Sequence, residues 1–212
     1  DCAGVPMAIA VQAGMATPSL AKFGTHELKK QYLEPAMRGE MVAAIGVTEP
    51  DAGSDVAGIR TKAVRDGDDW VITGRKMWIT NGTQADWICL LVRTSDEGGY
   101  AGMSQIVVPT ATPGFSVGRK IEKIGLKTSD TAELSFTDVR VPVQDLLGEE
   151  GKGFSYLTHN LAQERLTIAF GASATAAAAL QHALAYTKDR KVFGKPVAAF
   201  QNTKFVLAEC ST

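Results

Sequence analysis

One short run, Gly46-Val47-Thr48-Glu49-Pro50-Asp51-Ala52-Gly53-Ser54-Asp55-Val56-Ala57-Gly58, gathers residue types from which a ligand-holding loop is built. A β-rich stretch leads into it, so a strand is expected to end at Thr48 and a tight loop to follow. Gly53 admits close backbone approach, and Ser54 brings a hydroxyl and a free amide; such a loop can meet a phosphate or the polar edge of a ring. The same residues equally make a turn that binds nothing. A second run is Lys76-Met77-Trp78-Ile79-Thr80-Asn81-Gly82. An indole can cover a flat aromatic cofactor, and a threonine hydroxyl two positions on points to the same strand face. A core tryptophan in a sheet is the commoner use of that pattern.

The elements that must position these residues fall into three zones. Residues 1–41 read as helical: residues 8–16 are small and apolar, and Thr25 can cap a helix over 26–37, with Glu27 in its first turn and Gly39 stopping it. Residues 42–145 alternate short β-rich runs with turn residues, at 41–48, 61–65, 70–73, 76–80, 87–93, 105–108, 115–117 and 132–136. Asp66-Gly67-Asp68 and Thr73-Gly74 are turn chemistry between such runs, and the spacing predicts an antiparallel barrel or sandwich. Residues 146–212 return to helix, with one long pattern from about 154 to 188, a break at Gly194-Lys195-Pro196, and a new helix near Ala199. The fold class is therefore α+β: a helical part, a middle β domain, and the start of a helical bundle.

The chain has 212 residues, a formal net charge of −1 and 21% charged residues, so bulk electrostatics give no case for nucleic acid or an anionic membrane. Cys2, Cys89 and Cys210 lack CxxC spacing, and His26, His159 and His182 lack ligand spacing; no metal site is expected, and a reducing compartment fits. Residues 166–185 carry no charge over about the length of a bilayer span, but the run is alanine-rich and holds Thr167, Ser173, Thr175, Gln181 and His182. Insertion would be poorly driven, and a buried bundle helix is expected instead. The chain opens on Asp1 and stops inside a helical pattern, with no signal or transit sequence in view, so it reads as part of a longer protein.

Taken together the two runs resemble the acyl-CoA dehydrogenase family. The likeness continues through Gly118-Arg119-Lys120, Gly125-Leu126, Asp130-Thr131-Ala132-Glu133-Leu134, Asp138-Val139-Arg140-Val141-Pro142, Leu147-Gly148 and Gly151-Lys152-Gly153-Phe154. It ends with Arg190-Lys191-Val192-Phe193-Gly194-Lys195-Pro196 and Phe200-Gln201, and covers essentially the whole chain. The resemblance implies FAD, with Ile45, Val47, Thr48, Gly53 and Ser54 lining the flavin. It implies that Thr48 bonds the pyrimidine edge, that Ser54 touches both FAD and acyl-CoA, that Trp78 with Ile79 covers the isoalloxazine, and that Thr80 bonds near N5. It implies too that Arg190, Phe193 and Gln201 reach the FAD of a neighbouring subunit, hence a homodimer or homotetramer. Taken alone, Arg190 is also an ordinary basic residue at a helix C-terminus.

The reaction so implied removes an α proton while the β hydrogen leaves for the flavin, and it needs a positioned, desolvated base. The family carries a glutamate either on a late C-terminal loop or on the long helix before an arginine. Gln163-Glu164-Arg165-Leu166 resembles the second, long-chain arrangement. Glu164 is accordingly expected to be the base, Arg165 to contact the CoA moiety, and Ala162 and Gln163 to flank the channel; the other use of Glu164 is a helix salt bridge. Glu49, Asp55, Glu149, Glu150 and the acids at Asp66, Asp68 and Asp69 look like loop and turn charges. The implied electron acceptor is an electron-transferring flavoprotein, in bacterial cytoplasm or the mitochondrial matrix. An acyl-CoA oxidase or a flavin monooxygenase-like relative shares the fold, and a catalytically silent scaffold is the reading of a different class.

Overall fold

The computed structural model describes residues 4–212 and forms two compact units, residues up to 162 and residues 163–212. Cys2 lies outside the described residues. In the first unit, helix α1 (Gly4–Val11) runs into a π-helical turn (Gln12–Ala16), and α2 (Pro18–Phe23) follows. The stretch 26–37 is helical throughout, as α3 (His26–Leu28), a π turn (Lys29–Leu33) and α4 (Glu34–Met37). Thr25 caps it as expected: its Oγ1 accepts from the Leu28 N–H at 3.2 Å.

Seven strands make one sheet: β1 (Ala43–Gly46), β2 (Lys62–Asp66), β3 (Asp69–Thr80), β4 (Trp87–Arg93), β5 (Met103–Pro109), β6 (Phe115–Lys120) and β7 (Thr131–Pro142). Their order is β1-β4-β2-β3-β7-β6, with β5 on β4. Most pairs are antiparallel as expected, but β1 and β2 each meet β4 in parallel. The runs at 70–73 and 76–80 are one strand, not two. Thr73-Gly74 marks no chain reversal; it sits at a register shift in a twelve-residue strand that pairs with β7 on both sides of it.

Strand β4 shows how the core is shared. All of Trp87 through Val92 is buried, which requires cover on both sheet faces. Ile88, Leu90 and Val92 pack on one face with Trp70, Ile72, Ile106, Leu134 and Phe136. Trp87 and Cys89 pack on the other against Leu20, Leu28 and Tyr32 of the N-terminal helices. Leu91 meets Met103, Ala52 and Ile59, with Phe154 and Leu157 of α5 (Gly153–His159) against the same group. The loop between β1 and β2 is thus packed onto the sheet beside α5.

The helical pattern from 154 to 188 is interrupted. Helix α5 ends at Asn160, whose Nδ2 donates to Gly14 O at 2.5 Å, and α6 spans Leu161–Asp189. The second unit is α6 continued by a hairpin, β8 (Lys191–Val192) and β9 (Lys195–Pro196), and α7 (Gln201–Ser211). The expectation of a buried helix is not met within this unit. No residue of α6 is buried, and Leu166, Ile168, Phe170 and Tyr186 are exposed, because one hairpin and one shorter helix cannot enclose it. Among the described residues the helical stretch Gly153–Asp189 holds an 18-residue window apolar enough to cross a bilayer.

Candidate active site

Strand β1 delivers the first loop. Ile45, Val47 and Thr48 are half-buried along its end, and Gly53 and Ser54 are exposed beyond it. A tight turn closes the loop, with Glu49 N–H donating to Ala52 O at 2.8 Å and Ala52 N–H to Glu49 O at 3.2 Å. At its far side Arg93 Nε donates to Ile59 O at 3.0 Å and its guanidinium also reaches Ala57 O, latching the loop to β4. A Cβ placed on Gly53 would meet only Thr48 Cγ2, at 4.0 Å. Among the described residues no neighbour crowds that position, so the backbone there is open to close approach.

Strand β3 delivers the second group at a β-bulge. Lys76 pairs with Leu134 and Ile79 with Ala132, so three steps on β3 face two on β7, and Trp78 falls within the shift. Trp78 has φ 63, a backbone conformation that a bulky residue rarely adopts and that costs about 1–3 kcal/mol. The residue is 56% exposed while Ile79 is buried and Thr80 half-buried. The bulge turns a large flat aromatic out of the core, two residues before a threonine whose hydroxyl could bond a ring edge. The turn after it is fixed by Asp130, which accepts from Thr83 N–H at 2.7 Å, Thr83 Oγ1 at 2.8 Å and Gln84 Nε2 at 2.8 Å.

The structure brings these two groups together through contacts that the sequence reading passed over. Met77 N–H donates to Thr48 O at 2.8 Å. Lys76, with a fully buried side chain, donates from Nζ to Val47 O at 2.9 Å and to Glu49 Oε1 at 2.8 Å. Glu49 also accepts from the N–H groups of Arg60 at 2.6 Å and Thr61 at 3.0 Å. Glu49 is therefore no loop charge but a buried carboxylate. Burial raises its pKa, yet the Lys76 ammonium and the donors around it outweigh that and hold it below the usual value. Burial brings the Lys76 ammonium down to about 8 against the pull of Glu49. A signal was present: Trp70, Ile72 and Lys76 share strand parity, and a lysine on a core-facing position demands an anion. Asp55 accepts through its backbone carbonyl from Gly58 N–H at 3.1 Å, and its side chain is exposed. Asp66 and Asp69, read as solvated turn charges, both pair with Arg140 at the surface, at 2.5 and 3.5 Å.

Ala162 stands at the start of α6 and is exposed, with Gln163 and Arg165 exposed after it and Glu164 half-buried. Glu164 lies in the first helical turn, where the peptide dipoles favour a carboxylate. At the other end of the helix, Arg190 N–H caps onto Tyr186 O at 2.8 Å and its carbonyl accepts from Val197 N–H at 2.8 Å. The β8–β9 connection has Phe193 at φ 51 and Gly194 at φ 78, a type I′ pattern that normally carries Asn or Gly at its first position. Phenylalanine there is strained and 95% exposed. Gln201 opens α7 and is exposed. Among the described residues no cluster of His, Cys, Asp and Glu could hold a metal.

Three family models match the chain: acyl-CoA dehydrogenase N-terminal domain over residues 1–40, middle domain over 44–139 and C-terminal domain over 151–212. Long-chain specific acyl-CoA dehydrogenase, mitochondrial, from Sus scrofa is 44% identical over 197 residues, which is 92% of this chain and 46% of that protein. A probable acyl-CoA dehydrogenase from Mycobacterium abscessus superposes with a TM-score of 0.96 at 44% identity, over 99% of this chain and 55% of that one. A glutaryl-CoA dehydrogenase from Mycobacterium smegmatis, solved in complex with FADH2, superposes with a TM-score of 0.90 at 38% identity, over 98% of this chain and 52% of that one. The chain spans about half the length of the curated relatives it matches.

Proposed function

This chain belongs to the acyl-CoA dehydrogenase family, and we propose that the protein it forms part of oxidises an acyl-CoA thioester to the trans-2-enoyl-CoA with FAD as cofactor. The observation that carries the reading is the strained, outward Trp78 on its bulge, tied by Met77 to the loop that bears Thr48 and Ser54. The donor set fits a flavin: an exposed indole plane for the ring, and the exposed Gly53-Ser54 backbone beside Thr48 for its polar edge. When bound, FAD supplies the two-electron acceptor for the hydrogen that leaves the β carbon. Thr48 and Thr80 are assigned to bond the ring edge, where fixed donors stabilise the negative charge that grows on reduction. Val47 and Ile45 supply its apolar support, Ile79 contributes through its backbone because its side chain packs in the sheet core, and Ser54 bridges cofactor and substrate.

Glu164 is assigned as the base that takes the α proton. Arg165 binds the CoA portion, and Ala162 and Gln163 flank the acyl channel. Arg190, Phe193 and Gln201 reach the cofactor of a second copy in a homodimer or homotetramer. The solvent-directed Phe193 on its strained turn supports that role, since strain is retained where a site uses it. The division at 1–41, 42–145 and 146–212 follows the same family pattern, and the apolar faces of α6 are read as packing surface for further bundle helices rather than for lipid. The acceptor is an electron-transferring flavoprotein, and the compartment is a bacterial cytoplasm or the mitochondrial matrix.

The test is an anaerobic titration of the protein, expressed from its complete coding sequence, with straight-chain acyl-CoAs of graded length. Bleaching of the flavin is expected, and the best chain length names the substrate class. Rapid recovery of colour on admitting air, with peroxide formed, would move the assignment to an acyl-CoA oxidase. No bleaching with any thioester would favour the monooxygenase-like relative, and a colourless protein that cannot take up FAD would favour a silent scaffold.

A further inference from the structure

The two strand segments assigned to the flavin are far apart in sequence, and named hydrogen bonds hold one against the other. Two of the contacts between them are made by one buried ion pair. The Lys76 ammonium, two residues before the exposed indole, donates to the carbonyl of Val47 at 2.9 Å and to Glu49 at 2.8 Å, on either side of Thr48. Glu49 is anchored in turn by two backbone N–H groups at the far end of its own loop, Arg60 and Thr61. The side chains are 0% and 7% exposed. As a device for stability alone this is a poor one, because an apolar pair of similar volume serves as well or better in a buried site. As a device for geometry it is specific: Nζ has directional donors, the carboxylate has directional acceptors, and both are satisfied only when Thr48 sits beside the bulge.

We propose that Lys76 and Glu49 are positioning residues for the cofactor, setting the distance and angle between the Thr48–Ser54 loop and the Trp78 bulge. The inference rests on the flavin reading above. Neither residue touches the reacting atoms in this account; both act through Val47, Thr48 and Trp78.

The experiment uses the protein from its complete coding sequence, with Lys76→Met, Glu49→Gln and the double variant. Far-UV circular dichroism and the thermal midpoint report folding. FAD affinity, the visible circular dichroism of bound flavin and its midpoint potential report positioning. Lys76→Met is expected to keep the far-UV spectrum and lower the thermal midpoint, because it leaves a buried carboxylate without its cation. FAD should bind roughly tenfold or more weakly, with an altered visible spectrum. The double variant should recover much of the thermal midpoint but not the FAD affinity or the spectrum, since the Val47 carbonyl stays untethered. Glu49→Gln keeps the size of the side chain and carries the same readouts should Lys76→Met fail to fold. Folded variants that hold flavin with unchanged affinity and spectrum overturn the proposal, as does a double variant that recovers stability and flavin binding together. A wild-type protein that binds no flavin would instead overturn the functional reading beneath it.

Discussion

Trp78 holds its backbone at φ 63 and its ring in solvent, so the fold spends stability on placing it. Trp78→Asn should therefore leave the thermal midpoint unchanged or raised, since asparagine accepts that conformation, while weakening FAD binding. Equal FAD affinity in the variant would mean that the bulge serves the sheet and not a cofactor. Asp145 gives a pH-dependent case. The residue is 7% exposed, and burial raises its carboxyl pKa from 3.8 to about 6. The folded state then binds more protons than the unfolded between those values, so this group's favourable contribution is present below pH 3.8 and lost as pH rises through about 6. Asp145→Asn should flatten the fall of the thermal midpoint across that window and raise it at pH 7; an unchanged profile would place the carboxylate in water. The sequence singled out the 46–58 and 76–82 runs, because glycine, hydroxyl and indole are chemically pointed, and the structure brings the two runs side by side. The sequence did not show Glu49, because its cation lies twenty-seven positions away and only the sheet brings them together.

Among the elements, α5 is held to β5 by a close approach that needs glycine. A Cβ on Gly153 would lie 2.5 Å from the Ser104 carbonyl carbon and 2.8 Å from Gln105 N, backbone that cannot yield cheaply. Gly153→Ala should cost about 2 kcal/mol or more, read as a shift in a denaturant midpoint. A neutral result would mean that α5 is free to move off the sheet. Strands and capped helices were legible from alternation and from Thr25, but irregularities were not. Gly74 looked like a turn because turns use glycine; its actual constraint is Thr61, whose Oγ1 would lie 2.5 Å from an added Cβ. The break at Asn160 was hidden because helical periodicity continues on both sides of it. The π-helical turns, likewise, leave no mark in apolar spacing.

At the scale of the whole molecule, the flavin reading draws on residues from strands and helices along the chain, and α6 carries apolar surface with no cover in its own unit. These 212 residues expressed alone should bind FAD weakly, which equilibrium dialysis can measure; tight, stoichiometric binding would mean that the site is complete within them. Their exposed Leu166, Ile168 and Phe170 should also make the isolated chain bind an apolar dye. The family and three-zone order were readable because their motifs span the chain, whereas the subunit contacts assigned to Arg190, Phe193 and Gln201 depend on a second copy and rest on the resemblance alone.

The account turns on Glu164. The most direct test is anaerobic titration of the complete protein and of its Glu164→Gln variant with the acyl-CoA that best bleaches the wild type, following the flavin absorbance. The account predicts that the variant binds the thioester, seen as a perturbed flavin spectrum, but bleaches at least about a thousandfold more slowly. A variant that bleaches as fast as the wild type would contradict it and make Glu164 a structural carboxylate at the start of its helix.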